Sequence, residues 1–181
     1  IPYMEHALDF DLDLDAEQVA NPRLYKAHLS WDNVPEGARY IYAVRHPYDV
    51  AVSFYRFLEG WFFERGSIPL EEFVRQQVVE RKSYWNHVSS WWEQRDNPDI
   101  LFLCYEEMQA DIVTHIRSIA AFMHIDLDDD LFRIVKHQST RAFMLTHKLK
   151  FTDTGIQVFN AKRGGVPVAQ DASKVTPGTP D

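Results

Sequence analysis

The residues best placed to do chemistry lie in AVRHPYDVAVS, Ala43 to Ser53. Arg45 closes an apolar run, His46-Pro47 turns the chain, and Ser53 follows on a stretch that reads as helix. A guanidinium is a planar fork suited to phosphate. In open α/β sheets, ligands sit beyond the carboxyl ends of the strands. A helix starting directly after the strand adds unpaired N–H groups and the positive end of its dipole. Ser53 can return a hydroxyl to the same anion if the helix packs over the strand end. The competing reading is an ion pair between Arg45 and Asp49.

YKAHL, Tyr25 to Leu29, is the second candidate. With a period of two, Lys26 and His28 share one side, while Tyr25, Ala27 and Leu29 take the other. Two ionisable groups on one face of a strand are costly unless they line a cavity. Histidine titrates near neutrality and suits general-base work on a hydroxyl. The alternative is a strand end in solvent. A third set is aromatic: Phe54, Tyr55, Phe57, Trp61, Phe62, Phe63, Tyr84, Trp85, Trp91 and Trp92. It can line an apolar acceptor pocket, but such residues more often build a core. Tyr105 ends another apolar run, LFLCY, and either reaches a ligand at the same sheet edge or packs under a loop.

Other chemistries find less support. The remaining histidines show no HExxH or comparable ligand spacing, so no metal is expected. DFDLDLDAE lacks the glycine and closing glutamate of a calcium loop and reads as a solvated loop or edge. Cys104 sits inside an apolar strand and reads as a small buried hydrophobe. As the single cysteine it permits no internal disulfide, and a reducing, cytoplasmic setting is expected.

The elements that must position these groups alternate in type. ARYIYAVRH is β-rich and apolar, as a buried parallel strand is. Pro47 suits the first turn of a helix running to about Gly60. SIPLEEFVRQQVVER follows, with Ser67 as the expected N-cap, and then SYWNHVSSWWEQR. The strand in PDILFLCYEEM precedes the amphipathic DIVTHIRSIAAFMHI and DDDLFRIVKHQS. The spacing predicts a parallel sheet of Tyr25–Leu29, Tyr40–Val44 and Ile100–Cys104 flanked by helices, an α/β fold. Residues 1–160 are expected to form one domain, and 161–181, with few apolar residues, a loop or tail.

The whole chain limits the partners. Its 181 residues suffice for one domain with a real core. A net charge of −8 argues against a general nucleic-acid binder, so any anion site must be local. No run of apolar residues is long enough for a membrane span. The first residues lack the basic and apolar regions of a signal peptide.

PRLYKAHLSW, YIYAVRHPYDVAVSFYRF, SYWNHVSSWWEQRDNPDILFLCYEEMQADI and IRSIAAFMHI occur in the order and at roughly the spacing of the cytosolic sulfotransferase family, which the chain resembles from about Pro22 to Ser139. The resemblance implies a P-loop-like nucleotide-binding fold. It implies transfer of a sulfuryl group from 3′-phosphoadenosine 5′-phosphosulfate (PAPS) to a hydroxyl or amine, leaving adenosine 3′,5′-bisphosphate (PAP), without a metal. Arg45 to Ser53 is similar to the family's 3′-phosphate motif, R-N/H-P-x-D-x-x-V/A-S, so Arg45 and Ser53 would hold that phosphate.

Lys26 and His28 match the family's K-T-H-L, with Ala27 replacing the threonine; His28 would be the base and Lys26 would sit beside the transferring group. Tyr105 matches a tyrosine near the adenine. Ser139 matches the serine of a T-S-F adenine segment, although Gln138 and Thr140 replace its neighbours. Lys174, in SKVTPG, is the preferred remnant of a loop over the 3′-phosphate, with AKRGG, Ala161 to Gly165, the other choice. The family's lysine-bearing 5′-phosphosulfate motif has no counterpart before Lys26 and is expected upstream of Ile1. Its absence from this stretch leaves a second reading, a nucleotide-binding module of the same fold without catalysis. The acceptor implied is a small apolar or aromatic alcohol.

Overall fold

The computed structural model describes residues 1–59 and 62–151. Trp61, Lys174 and both candidate C-terminal loops lie outside the described residues. The chain divides into two compact units, each assembled from separate stretches. One comprises Ile1–Tyr55 and Pro69–Glu106; the other comprises Arg56–Ile68 and the described residues from Glu107.

The first unit is built on β1 (Tyr40–Val44) and β2 (Ile100–Cys104), paired in parallel. Both are runs of aromatic, β-branched and other apolar residues, which suit a pleated, partly buried surface. Their register sets Tyr40 opposite Ile100 and Val44 opposite Cys104, so the two carboxyl ends finish level. The crossover between them carries α1 (Pro47–Leu58), α2 (Leu70–Val74) and α3 (Ser83–Trp92). This is the expected α/β arrangement of a parallel sheet with helices.

Packing is centred on α3. Trp91 stacks on Tyr42 of β1 with ring centroids 4.9 Å apart and planes at 15°. Tyr42, Trp91 and Ile100 form the buried cluster, joined by Trp31, Tyr40, Val44 and Phe102. The indole Nε1 of Trp91 donates to the Leu29 carbonyl at 3.1 Å, and the Trp31 amide donates to Ser90 Oγ at 3.2 Å. These bonds tie the segment after His28 to the helix. Phe73 of α2 is buried against Phe54 and Tyr55 of α1. The aromatic set is therefore only partly core: Trp85 and Trp92 are 48% and 57% exposed.

Several expectations need correction. Tyr25–Leu29 is not a strand of the sheet. Its one bridge pairs Lys26 with Tyr3: Met4 N–H donates to the Lys26 carbonyl at 2.9 Å and Lys26 N–H to the Pro2 carbonyl at 2.8 Å. Neighbouring polar groups are met elsewhere, Leu24 N–H by Gln18 Oε1 and the Tyr25 hydroxyl by the Leu14 carbonyl. Strand propensity set the extended backbone but not its partner.

Ser67 does not cap α2. Pro69 occupies the N-cap position, and Ser67 Oγ donates to the Glu64 carbonyl instead. A residue before proline is pushed out of the helical region, so Ile68 prevents an earlier start. The helix then widens into a π-helical turn over Arg75–Glu80. Finally, β1 is buried on one face only: Tyr42 is buried while Ile41 is 42% exposed.

The second unit contains α5 (Ile112–Phe122), α6 (Asp129–Gln138) and α7 (Arg141–Thr146), packed in sequence. Each start is capped by a side chain. Asp111 Oδ1 accepts from Thr114 N–H, Asp128 Oδ1 from Leu131 N–H, and Thr140 Oγ1 from Phe143 N–H. Ile116 and Ala120 are its buried residues. α4 (Tyr105–Ala110) begins directly at the end of β2, so Tyr105 opens a helix instead of ending the strand.

Candidate active site

The level ends of β1 and β2 bring Arg45 and Tyr105 together. The Arg45 guanidinium carbon lies 4.7 Å from the centroid of the Tyr105 ring. Tyr84 of α3 donates its hydroxyl to the Arg45 carbonyl at 2.7 Å. The next amide, His46 N–H, donates to Glu106 Oε1 at 2.9 Å, and the other oxygen, Glu106 Oε2, accepts from Cys104 Sγ at 3.1 Å. Glu106 therefore joins the two strand ends. These donors, His46 N–H first and the Cys104 thiol next, hold its carboxyl below the usual range. Tyr84 is shifted upward, chiefly by burial and then by the negative charge of Glu106. Cys104 is accordingly a half-buried hydrogen-bonding group, not an inert hydrophobe.

Both readings of Arg45 have a counterpart in this geometry. Its Nη2 is 3.4 Å from Asp49 Oδ2, with the two side chains 37% and 55% exposed. An exposed pair of this kind contributes about 0.3–0.5 kcal/mol. Arg45 Nε, in contrast, is buried and has no hydrogen-bond partner. A buried charged donor left unpaired is worth more than the pair outside it when an anion satisfies it, since bonds to charged groups contribute about 1.5–3 kcal/mol. Ser53 is exposed on α1, one turn beyond Asp49. Residues four apart share a helix face, so Ser53 shares a face with Asp49, the ion-pair partner of Arg45.

Lys26 and His28 are exposed, and each meets Tyr3. Lys26 Nζ is 4.7 Å from the centroid of the Tyr3 ring, and the Tyr3 hydroxyl is hydrogen-bonded to His28 Nδ1. The His28 amide donates to the Glu5 carboxylate. His87 of α3 is a second imidazole in this neighbourhood. Burial first, then the positive charge of His28, holds its pKa below the usual 6.5.

Ser139 is the C-cap of α6 in the second unit. Sequence reasoning missed Tyr3, Glu5 and Glu106, and it read Tyr84 as a pocket or core aromatic, not as the hydroxyl that holds the Arg45 carbonyl. Only Glu106 carried a signal, its position directly after a strand end. Among the described residues, no group of three or more His, Cys, Asp and Glu is placed to hold a metal. No described helix is long and apolar enough to cross a membrane.

Comparison with known proteins gives this arrangement its class. Residues 2–162 match the sulfotransferase domain. Luciferin sulfotransferase of Photinus pyralis is 32% identical over 148 residues, covering 76% of this chain and 38% of its own length. Sulfotransferase 1B1 of Mus musculus is 36% identical over 137 residues, covering 68% and 44%. Among solved structures, mouse sulfotransferase SULT7A1 complexed with PAP superimposes with a TM-score of 0.60 at 27% identity, over 68% of this chain and 49% of that one. Retinol dehydratase in complex with retinol and PAP shares the fold, with a TM-score of 0.66 at 22% identity over 92% of this chain and 49% of that one. The protein is an α/β protein whose two parallel strands end level beside Arg45 and Tyr105. It belongs to the sulfotransferase family, and the chain spans half or less of the length of these relatives.

Proposed function

We propose that this chain forms part of a PAPS-dependent sulfotransferase that moves a sulfuryl group to the hydroxyl, or amine, of a small acceptor. The observation that carries this reading is the Arg45 corner: a buried, unpartnered Nε on a guanidinium laid over Tyr105, beside the first turn of α1. An orphan charged donor at a strand end fits the 3′-phosphate of the nucleotide. Arg45 and Ser53 bind that phosphate and Tyr105 lies by the adenine; Ser139 and Lys174 are assigned to nucleotide binding by the resemblance alone. Bound PAPS supplies the sulfuryl group and a leaving bridging oxygen. His28 takes the acceptor's proton, and Lys26 spreads negative charge beside it.

Residues 1–160 act as one domain in this reading. The acceptor is an apolar or aromatic alcohol, which the exposed Phe54, Trp85 and Trp92 favour. The retinol and androsterone bound by retinol dehydratase are of that kind. The single cysteine and low apolar run length favour the cytoplasm.

Calorimetry on the 181-residue chain tests the nucleotide site. Arg45→Ala weakens PAP binding by about 2–4 kcal/mol, the loss expected when a charge-assisted contact to a sequestered anion is removed. Adenosine 5′-monophosphate, which has no 3′-phosphate, loses far less. Equal losses for the two nucleotides remove the assignment.

A further inference from the structure

A histidine that accepts a proton must present a lone pair, and the nitrogen that carries it is set by the hydrogen bond of the other nitrogen. At His28 that bond is made at Nδ1, by Tyr3. We propose that Tyr3 is a positioning residue for His28: its hydroxyl oxygen accepts the Nδ1–H, which leaves the lone pair on Nε2 as the site that receives the acceptor's proton. This rests on the reading of His28 as the base.

The placement of Tyr3 is over-determined, as positioning requires. Its backbone is extended, with φ −104° and ψ 109°, just before the 3₁₀ turn Met4–His6. The two backbone bonds around it, from Met4 N–H to Lys26 and from Lys26 N–H to Pro2, lock residues 2–4 alongside the segment that carries His28. The Tyr3 and His28 rings meet edge to face with centroids 5.2 Å apart and planes at 76°. His6 meets Tyr3 in the same manner at 4.8 Å and 80°. The Lys26 ammonium covers the Tyr3 ring. Glu5 takes the His28 amide, so backbone and ring of the histidine are both held by one short segment.

The bond is also chemically suited to the transfer. As the acceptor's O–H bond breaks and its oxygen bonds to sulfur, the bond from sulfur to the bridging oxygen of PAPS breaks, PAP leaves with that electron pair, and the proton passes to Nε2. The imidazolium that results keeps its Nδ1–H on the Tyr3 oxygen, so no partner has to move. The reverse polarity, Tyr3 O–H donating to Nδ1, would place the ring hydrogen on Nε2 and block that site.

Nitrogen-15 NMR of histidine-labelled 181-residue chain, at a pH where His28 is neutral, distinguishes the two. The wild-type chain is expected to show Nδ1 of His28 as the protonated nitrogen and Nε2 as the unprotonated one. Tyr3→Phe keeps the ring contact and removes the oxygen, and His28 moves toward the Nε2–H form. A wild-type spectrum with the proton on Nε2 overturns the proposal, and this needs no variant to fold. So does a Tyr3→Phe spectrum unchanged at His28. In the natural enzyme Tyr3→Phe lowers kcat by roughly 10- to 100-fold with KM little changed, the range for losing an outer partner that orients a ligating histidine. Failure of the base assignment reads out separately: His28→Asn would leave turnover intact while the wild-type tautomer stays as stated.

Discussion

His28 and the nucleotide contacts make separable demands. On the proposed reading of His28 as the base, His28→Asn in the full-length protein is expected to lower turnover by about 10²–10⁴-fold, the usual range for losing general-base help. PAP affinity is left almost unchanged, because the residues proposed to hold the nucleotide are Arg45, Ser53 and Tyr105. The loss is smaller for an acidic phenol than for an alkyl alcohol, since a phenol gives up its proton with less assistance. Steady-state kinetics with one acceptor of each kind checks this, and substantial turnover of an alkyl alcohol by the variant removes His28 as the base. At this scale the sequence was informative where chemistry coincided with a strand end. Arg45 and Tyr105 each follow an apolar run, and the level register of β1 and β2 made them neighbours. Tyr3 was invisible, because no spacing rule links it to His28; only the bridge at Lys26 does.

Among the elements, α3 has the largest structural task. Trp91 is 5% exposed, stacks on Tyr42 and donates to the Leu29 carbonyl. Trp91→Ala is expected to destabilise the chain by about 3–5 kcal/mol, as large-to-small changes of buried aromatics do. Trp91→Phe keeps the ring contact and costs less, and chemical denaturation of both variants checks the order. Asp128→Ala, which removes only the cap of α6, costs about 1 kcal/mol. A larger loss for the cap than for Trp91→Ala would contradict this division of labour. The bounds of β1 and β2 were legible from composition alone, because apolar β-forming runs were bracketed by turn residues. The starts of α5 and α6 were legible from their amphipathic pattern. The segment Tyr25–Leu29 was not, since its pairing depends on Pro2–Met4 and on what satisfies Leu24 and Tyr25. Ser67 failed as a cap because proline two residues later overrides it.

For the molecule as a whole, His87 couples stability to pH. Its folded pKa lies below 6.5, so between 6.5 and that lower value the unfolded chain binds a proton that the folded chain does not. The contribution is complete above 6.5 and is lost as the pH falls through that window. His87→Gln should therefore flatten the decline in unfolding free energy between neutral and mildly acidic pH relative to wild type; parallel slopes would show that His87 takes no part. The crossover between β1 and β2 has a consequence for how the protein is made. β1 reaches β2 only through the crossover of α1, α2 and α3, and loop-closure entropy delays such non-local pairings. During synthesis from the amino terminus, Arg45 leaves the ribosome before Tyr84, Tyr105 and Glu106 exist to hold it. Tyr3 and Lys26 need only each other's short neighbourhood. The Tyr3–His28 corner can thus close on the nascent chain while the Arg45 corner waits for its last residues, and a stalled polypeptide ending before β2 would carry the first without the second.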